Sequence, residues 1–478
     1  MDGRVKLLIV IWALMITVDC ALCQPDSLWS RRYDMTIGGS MLAHDGSYVF
    51  SGWSINNDTV LIRIAKLDSE GEIIWENSRE SIFKGIQMVE TPDTGFAICR
   101  YHEDDIWIVK YNLEGEELYS WQFELEFEPD IRGFLSDGEG GYIACGHTSV
   151  NNNFRNDFVL LKVSAEGELE WQEVFVERRD QYCFGMTAVP DGGFMLVGNN
   201  KSVNNFANEV NVIRTDVEGE IIWRNHYGTE FIDIPANETG YDIIATNDGN
   251  FVVAGHTLPH EEGSDFDVLM LKIDSDGDVI WLKTIDLGIN EKARSITKTM
   301  DGGFVMSGFS SENFDITGNP FIMKTDHRGN MIWSYVEENV SVGGVGDVIA
   351  HEDRTFSLII NMSQGGARPG FLQKFGRDPH GVADGGSGFL PIQSGLVAAY
   401  PNPFNGITTF VFTVGSPADV EINIFNTLGR RQTELVRRSY PAGQHNISWD
   451  AGGLPSGDYF ARMTAGGRVS TRKVSLVK

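Results

Sequence analysis

The sequence predicts an all-β fold, a seven-bladed β-propeller closed by its N-terminal strand and followed by a small β-sandwich. Three observations carry that prediction. A Gly-aromatic strand motif recurs seven times, six Gly-containing turns lead into strands ending in Trp, and composition and charge change after about residue 381.

The chain opens with Arg4 and Lys6, an apolar run LLIVIWALMITV, and Ala21-Leu22-Cys23 ahead of polar Gln24-Pro25-Asp26. A basic segment, a short apolar segment and small residues before the cut make residues 1–23 a secretory signal peptide, cleaved after Cys23. An acylated Cys20 or Cys23 needs small residues just before it, and Val18-Asp19 and Ala21-Leu22 fit that poorly. No other stretch approaches the ~18 apolar residues that a membrane helix requires, so the mature protein is expected to have no membrane span.

Residues 24–380 carry the repeats. They are DGSYVFSGW (45–53), DTGFAICRY (93–101), GGYIACGHT (140–148), DGGFMLVGN (191–199), DGNFVVAGHT (248–257), DGGFVMSGF (301–309) and DRTFSLIIN (353–361). A short apolar strand such as DIIAT (242–246) or SITKT (295–299) precedes each, and a third strand such as DFVLLKV (157–163) follows. A turn then leads into a strand ending in Trp, as in LDSEGEIIW, DVEGEIIW and DHRGNMIW. Short β-rich runs, Asp-Gly and Glu-Gly turns and no helical period make each unit a four-stranded blade.

Trp75, Trp121, Trp171, Trp223, Trp281 and Trp333 close six blades. The seventh has three strands, ending in GFLQKFGRDPHG (370–381), and no Trp. The stretch DSLWSRRYD (26–34) has a Trp and no unit before it, so Trp29 is expected to supply the missing outer strand. Closure of this kind removes an open sheet edge at the seam.

Only Cys99, Cys145 and Cys183 lie beyond the signal peptide, which excludes a disulfide framework as the source of stability. Cys99 and Cys145 hold matching repeat positions and read as small buried strand residues. Lys+Arg 38 against Asp+Glu 67 gives a net charge of −29, which repels nucleic acid and anionic lipid.

GVADGGSGFLPIQSG (381–395) reads as a Gly/Ser-rich linker. The final module, 396–478, has nine basic and five acidic residues, +4 against −33 for the rest of the chain. It contains Pro401, Asn402, Pro403, Phe404 and Asn405 in YPNPFN, and Gly429 in IFNTLGR. Gly443 and Trp449 follow in AGQHNISWD, then Ser456, Gly457 and Tyr459 in LPSGDYFARM, and a basic last strand VSTRKVSLVK.

In that order these motifs closely resemble the C-terminal sorting domain of type IX secretion substrates, found in Bacteroidetes and related bacteria. The resemblance spans the whole module. It implies an Ig-like β-sandwich recognised by the type IX machinery at the outer membrane, and a protein secreted or held on the outer-membrane surface. The propeller turns also resemble the Asp-box of sialidase-type propellers and the Trp-bearing repeats of quinoprotein-type propellers. That likeness covers only the turn and the Trp, whose work is structural.

Aligning the repeats places Gln87, Asp242, Ser295 and Asp347 at one position near the start of the inner strand, with Tyr241 and Arg294 one residue earlier and Arg132 nearby. Gln87, Arg132, Asp242, Arg294 and Asp347 are therefore the candidate ligand-binding residues: carboxylates with arginines at a channel mouth suit a sugar, a peptide or a cation. The plainer reading is the polar lining of a water-filled channel. His147 and His256, in matching GHT segments, read as blade packing rather than metal ligands. Asp274-Ser275-Asp276-Gly277-Asp278 looks like part of a calcium loop but lacks the terminal Glu, so no metal is expected.

The loops 151–157, 202–209, 259–267 and 311–320 are rich in Asn, Asp and Phe and are expected to project from one face. No nucleophile–base pair, phosphate-cradling loop or metal-ligand spacing is found, so no catalytic residue and no cofactor is expected. The function read from the sequence is an exported binding protein whose propeller recognises a glycan or a protein. The alternatives are a polysaccharide hydrolase or lyase acting at the channel mouth, and a scaffold in surface adhesion or motility.

Overall fold

The structure is a computed structural model, and it describes residues 27–56, 59–80, 84–149, 156–201, 208–228, 230–231, 234–235, 237–258, 265–288, 290–311, 318–337, 340, 342–362, 369–376, 395–400, 404–414, 418–427, 429–440, 443–465 and 468–477. The predicted signal peptide, the linker and Pro401, Asn402 and Pro403 lie outside the described residues. So do most of the Asn- and Phe-rich loops. Among the described residues no helix is long and apolar enough to cross a membrane.

Residues 27–376 build seven four-stranded antiparallel sheets, numbered here along the chain. Sheet 1 runs Thr36–Leu42, Tyr48–Asn56, Thr59–Leu67, Ile73–Glu80. Sheet 2 runs Lys84–Glu90, Phe96–His102, Asp105–Tyr111, Glu117–Glu124. Sheet 3 runs Pro129–Ser136, Tyr142–Ser149, Asn156–Val163, Leu169–Phe175. Sheet 4 runs Gln181–Ala188, Phe194–Lys201, Asn208–Thr215, Ile221–Tyr227. Sheet 5 runs Asn237–Ala245, Phe251–Leu258, Asp267–Ile273, Val279–Ile285. Sheet 6 runs Asn290–Lys298, Phe304–Ser311, Asn319–Thr325, Met331–Val336. Sheet 7 joins Val342–Ala350, Phe356–Met362 and Gly370–Phe375 to Ser27–Tyr33.

The first strand of each sheet touches the first strand of the next, and that of sheet 7 touches that of sheet 1, so these seven inner strands surround an axis. Second strands are covered on both faces by neighbouring sheets, which is why they read as unbroken apolar runs: all but the last residue of Phe251–Leu258 is buried. Outer strands alternate or stay largely exposed, as in Ile221–Tyr227. Val252 and Ala254 of sheet 5 share one core with Phe304, Met306 and Phe321 of sheet 6, so the hydrophobic core lies between sheets rather than within them.

Every outer-strand Trp except Trp333 reaches the next sheet through a glycine. A Cβ built on Gly167, whose φ is +83°, would lie 2.2 Å from the Trp121 indole. Gly71, with φ +78°, meets Trp29 in the same way at 2.9 Å. The turn carrying this glycine is held by the residue three places before it: Asp274 Oδ1 accepts from the N–H groups of Asp276 and Asp278 at 3.0 and 2.9 Å. Asp68, Asn112, Ser164, Asp216 and Asp326 accept in the same pattern, so the calcium-like DSDGD is one of six equivalent turns.

A second recurring device is absent from the sequence-based reading. A cation on the third strand reaches the Asp of the turn between the first two: Lys66 to Asp45 at 2.9 Å, Lys110 to Asp93 at 2.5 Å, Lys272 to Asp248 at 2.7 Å, Arg214 to Asp191 at 3.1 Å, and Lys324 to Asp301. Burial alone would raise Asp248, but hydrogen bonds from Lys272 and Thr246 hold it down at about 2.

The inner strands start earlier than the sequence suggests. The apolar pattern places their beginnings at 242 and 295, whereas the strands begin at Asn237 and Asn290. A β-bulge inserts one unpaired residue, Tyr241 or Arg294, and breaks the alternation that would have revealed the first half of each strand.

The C-terminal module has two sheets. One orders Gly395–Tyr400, Ile407–Val414 and Gly443–Asp450, and the other Arg431–Tyr440, Ala418–Asn426, Gly457–Ala465 and Arg468–Leu476. Phe410 and Trp449 of the first share a core with Ile424, Tyr459 and Val474 of the second, which makes the module a sandwich.

Candidate functional site

The inner-strand bulges build two tiers of side chains around the axis. In the upper tier the unpaired residues are Gly38 in sheet 1, Arg132 in sheet 3, Phe184 in sheet 4, Tyr241 in sheet 5 and Arg294 in sheet 6. Sheet 2 places its irregularity at Gly85, and sheet 7 spans Gly346 and Asp347. The lower tier is the next residue along, Gly39, Gly133, Gly185, Asp242 and Ser295, joined on sheet 2 by Gln87, two places beyond Gly85.

Asp242, Ser295 and Asp347 come together with Ser40. Asp242 Oδ1 accepts from the Ile243 N–H at 2.8 Å and Oδ2 from the Ile296 N–H at 3.0 Å. Asp347 Oδ2 accepts from Ser40 Oγ at 2.6 Å. The Val348 N–H donates to Ser295 Oγ at 3.4 Å. Burial raises Asp242 to about 7; the Ile296 N–H opposes this and the Asp347 carboxylate adds to it. Asp347, solvent-exposed but crowded by the surrounding inner strands, is also raised, against the hydrogen bond from Ser40. Gln87 stands at the same tier on sheet 2, and glycines hold that tier on sheets 1, 3 and 4, so the predicted ring of polar groups is an arc. A side chain at Gly133 or Gly185 would meet the neighbouring inner strand: a Cβ on Gly185 lies 3.0 Å from the Tyr241 carbonyl.

Arg132 occupies the upper tier, level with Tyr241 and Arg294. It donates to Asp130 at 2.7 Å, and Asp130 also accepts from Tyr101 Oη at 2.5 Å. Arg294 instead lies over the Tyr241 ring, 3.8 Å from its centroid, and near the Phe309 ring at 5.3 Å. Phe184 packs against Tyr241 at 4.8 Å. Burial lowers Arg294, and neighbouring Arg132 lowers it further, but a guanidinium remains charged at neutral pH.

His147 and His256 flank this arc and do not face each other. His147 Nδ1 lies 3.2 Å from the Cys183 carbonyl, and its ring packs on Tyr182 at 5.1 Å. His256 packs on Tyr241 at 5.4 Å and Phe266 at 4.8 Å. Burial lowers both, so each is an uncharged wall of the site. Cys145 and Cys183, on adjacent sheets, are the thiols brought together, 3.6 Å apart and fully buried. The sequence pairs Cys145 with Cys99 by repeat position; the contact to Cys183 has no signal at that level. The one cluster among the described residues with three close metal-ligand types is Asp267, Asp286 and Glu291, away from the predicted site residues.

In the C-terminal module the aromatic motif residues are core, whereas the described motif glycine Gly429 and the polar Asn405 and Ser456 lie at the surface. Trp449 packs on Phe404, Phe410 and Tyr459, at 5.4, 6.2 and 5.5 Å. Phe404 bridges to the last strand, donating its N–H to the Ser475 carbonyl at 2.9 Å. Tyr459 Oη donates to the Pro455 carbonyl at 2.7 Å. Gly429, at φ +74°, turns the chain between Asn426 and Arg430, and Gly457 has φ +151°. Gly443 starts a strand, whereas Asn405 and Ser456 are exposed.

Two architectures are thus joined in one chain: propeller-like repeated sheets and a small sandwich whose core is its sequence motif. Residues 398–477 match the family described as secretion system C-terminal sorting domain. The sandwich is a type IX sorting domain; it engages the type IX machinery, and the protein is exported to the cell surface or the extracellular space.

No curated protein matches the chain. Among solved structures, the polysaccharide lyase Uly1 is similar at 10% identity with a TM-score of 0.47, over 74% of this chain and 93% of that one. The β-propeller domain of the Trilobed protease from Pyrococcus furiosus is similar at 10% identity and TM-score 0.43, over 73% and 94%. BBS1N, in a complex with ARL6DN, is similar at 11% identity and TM-score 0.42, over 75% and 94%. Likenesses this remote say nothing about ligand or chemistry.

Proposed function

We propose that the protein is an exported binding protein in which a closed seven-bladed propeller, residues 24–380, recognises a glycan at the upper mouth of its axis. Residues 1–23 direct export across the inner membrane, 381–395 link the domains, and 396–478 form an Ig-like sorting domain. The pairing of Ser27–Tyr33 with Gly370–Phe375, and the seating of Trp29 on Gly71, support closure by the N-terminal strand. The observation that carries the glycan reading is the partly accessible Phe184–Tyr241 ring pair beside Asp242, Ser295 and Asp347. Aromatic faces stack on sugar C–H groups while carboxylates and hydroxyls bond sugar hydroxyls.

A second reading, a polysaccharide hydrolase or lyase, is favoured by one observation: Asp242 is held near neutral pKa beside a second raised carboxyl. Isothermal titration of the mature full chain against neutral and acidic polysaccharides, with product analysis on each hit, tests both. Saturable binding without new reducing ends or unsaturated products is the expected outcome, weakened at least tenfold in Tyr241→Ala. Shortened chains establish the enzyme, and no binding to any glycan overturns the recognition reading.

A further inference from the structure

We propose that the glycan bound at the axis is acidic, its anionic groups seated on Arg294 and Arg132 at the two ends of the Phe184–Tyr241 ring pair. This rests on the reading of the propeller as a glycan-binding domain and deepens it by naming the ligand class.

The upper tier is divided. Four consecutive sheets, 3 to 6, contribute Arg132, Phe184, Tyr241 and Arg294 in that order. The remaining three contribute Gly38, Gly85 and Gly346 with Asp347. One half of the mouth therefore carries cation, ring, ring, cation, and the other half is mostly glycine. Gly38 is exposed, so that half leaves space above the lower tier rather than filling it.

The arc is contiguous, with Phe184 on Tyr241 at 4.8 Å and Tyr241 under Arg294 at 3.8 Å. Among the described residues no carboxylate forms an ion pair with Arg294; its neighbours are Tyr241 and Phe309. Arg132 pairs with Asp130 at 2.7 Å, and Asp130 also accepts from Tyr101 Oη. A guanidinium with no carboxylate partner at the end of a ring platform is stabilised by an anion, and its planar fork matches a carboxylate or a sulfate.

The rest of the molecule sharpens the point. Outside the sorting domain the chain carries −33, so the rest of the propeller repels a polyanion, and the arginine variants separate binding at the site from adsorption on the +4 sorting domain.

The test uses the mature full chain with three probes: sodium polygalacturonate for carboxylate, κ-carrageenan for sulfate, and laminarin as a neutral polymer. At least one anionic polymer is expected to bind tenfold or more tightly than laminarin. Arg294→Gln is expected to lose tenfold or more of that affinity. Arg132→Gln, at an exposed position that does not carry the fold, is expected to lose about threefold, with an unchanged melting temperature as the check. Polygalacturonate binding alone assigns the carboxylate and carrageenan binding alone the sulfate; either supports the inference. Laminarin binding as tightly as both polyanions, or unchanged polyanion affinity in both arginine variants, overturns the acidic ligand and leaves glycan recognition standing. Failure to bind any of the three removes the acidic-ligand proposal, and a blank across the wider glycan series then removes the recognition reading as well.

Discussion

Asp242 is a carboxyl held far from its ordinary state. Its carboxyl is raised from 3.8 to about 7 by burial, so its contribution to stability is full below pH 4 and is lost as pH rises through 7. At 1.36 kcal/mol per unit, and with axial water screening part of the effect, the loss is of order 2–4 kcal/mol. The melting temperature of the wild type minus that of Asp242→Asn is therefore expected to fall as pH goes from 4 to 8. A flat difference would show an Asp242 that stays ionised throughout. Motif alignment alone found Asp242, Asp347 and the two arginines, because repeats align positions. It did not find that three glycines share the lower tier or that Phe184 completes the upper one, since one residue type per repeat carries no pattern.

At the scale of the strand and turn, the repeat was legible wherever one side chain does one job in every sheet. The Gly-aromatic second strands and the Trp-ended outer strands are buried or seated in the same way each time, and the four-stranded sheets were readable from them. The first halves of the inner strands were not, because the bulge shifts the side-chain alternation by one residue. The Lys–Asp ties escaped for a different reason: the partners lie 17 to 24 residues apart on elements whose pairing the local pattern does not reveal. The Trp–Gly seat between sheets is the element with the sharpest expected cost. Gly167→Ala places a methyl against Trp121 at a φ of +83°, and an expected loss of about 2–4 kcal/mol follows from the clash and the left-handed backbone together. Gly249→Ala is the control: φ is +81° but nothing lies within 4 Å of its Cβ. Chemical denaturation of the two variants reads the packing contribution as the difference between them.

Across the whole molecule, sheet 7 is made from both ends of the repeat region. Ser27–Tyr33 pairs with Gly370–Phe375, and Gln373 reaches Ser27 at 3.2 Å. Without that strand sheet 7 has an open edge and Gly71 loses its Trp. Deleting residues 27–34 from the mature chain is expected to lower the melting temperature by several degrees and to split the single unfolding transition, as scanning calorimetry would show. An unchanged single transition would mean that sheets 1 to 6 and three strands of sheet 7 suffice. The sorting domain was the most legible part of the chain, because its motif residues, Phe404, Trp449 and Tyr459, are also its core.

Trp333 differs from its counterparts. It is fully buried, packed at 5.6 Å on Phe356, whereas the other outer-strand tryptophans rest partly exposed on the glycine turn of the next sheet. The next sheet here is the seventh, whose outer strand arrives from the chain's beginning rather than through such a turn. The polypeptide thus has one seam whose contacts span more than 300 residues, exemplified by the Ile37 N–H to Asn361 Oδ1 bond at 2.8 Å. Contacts of that separation close a very large loop and form late, so a chain being threaded from its first residue holds its leading strand unpaired until almost all of the repeats have emerged. Timing is therefore built into the architecture: sheet 7 can be completed only once nearly all of the repeats are available to it.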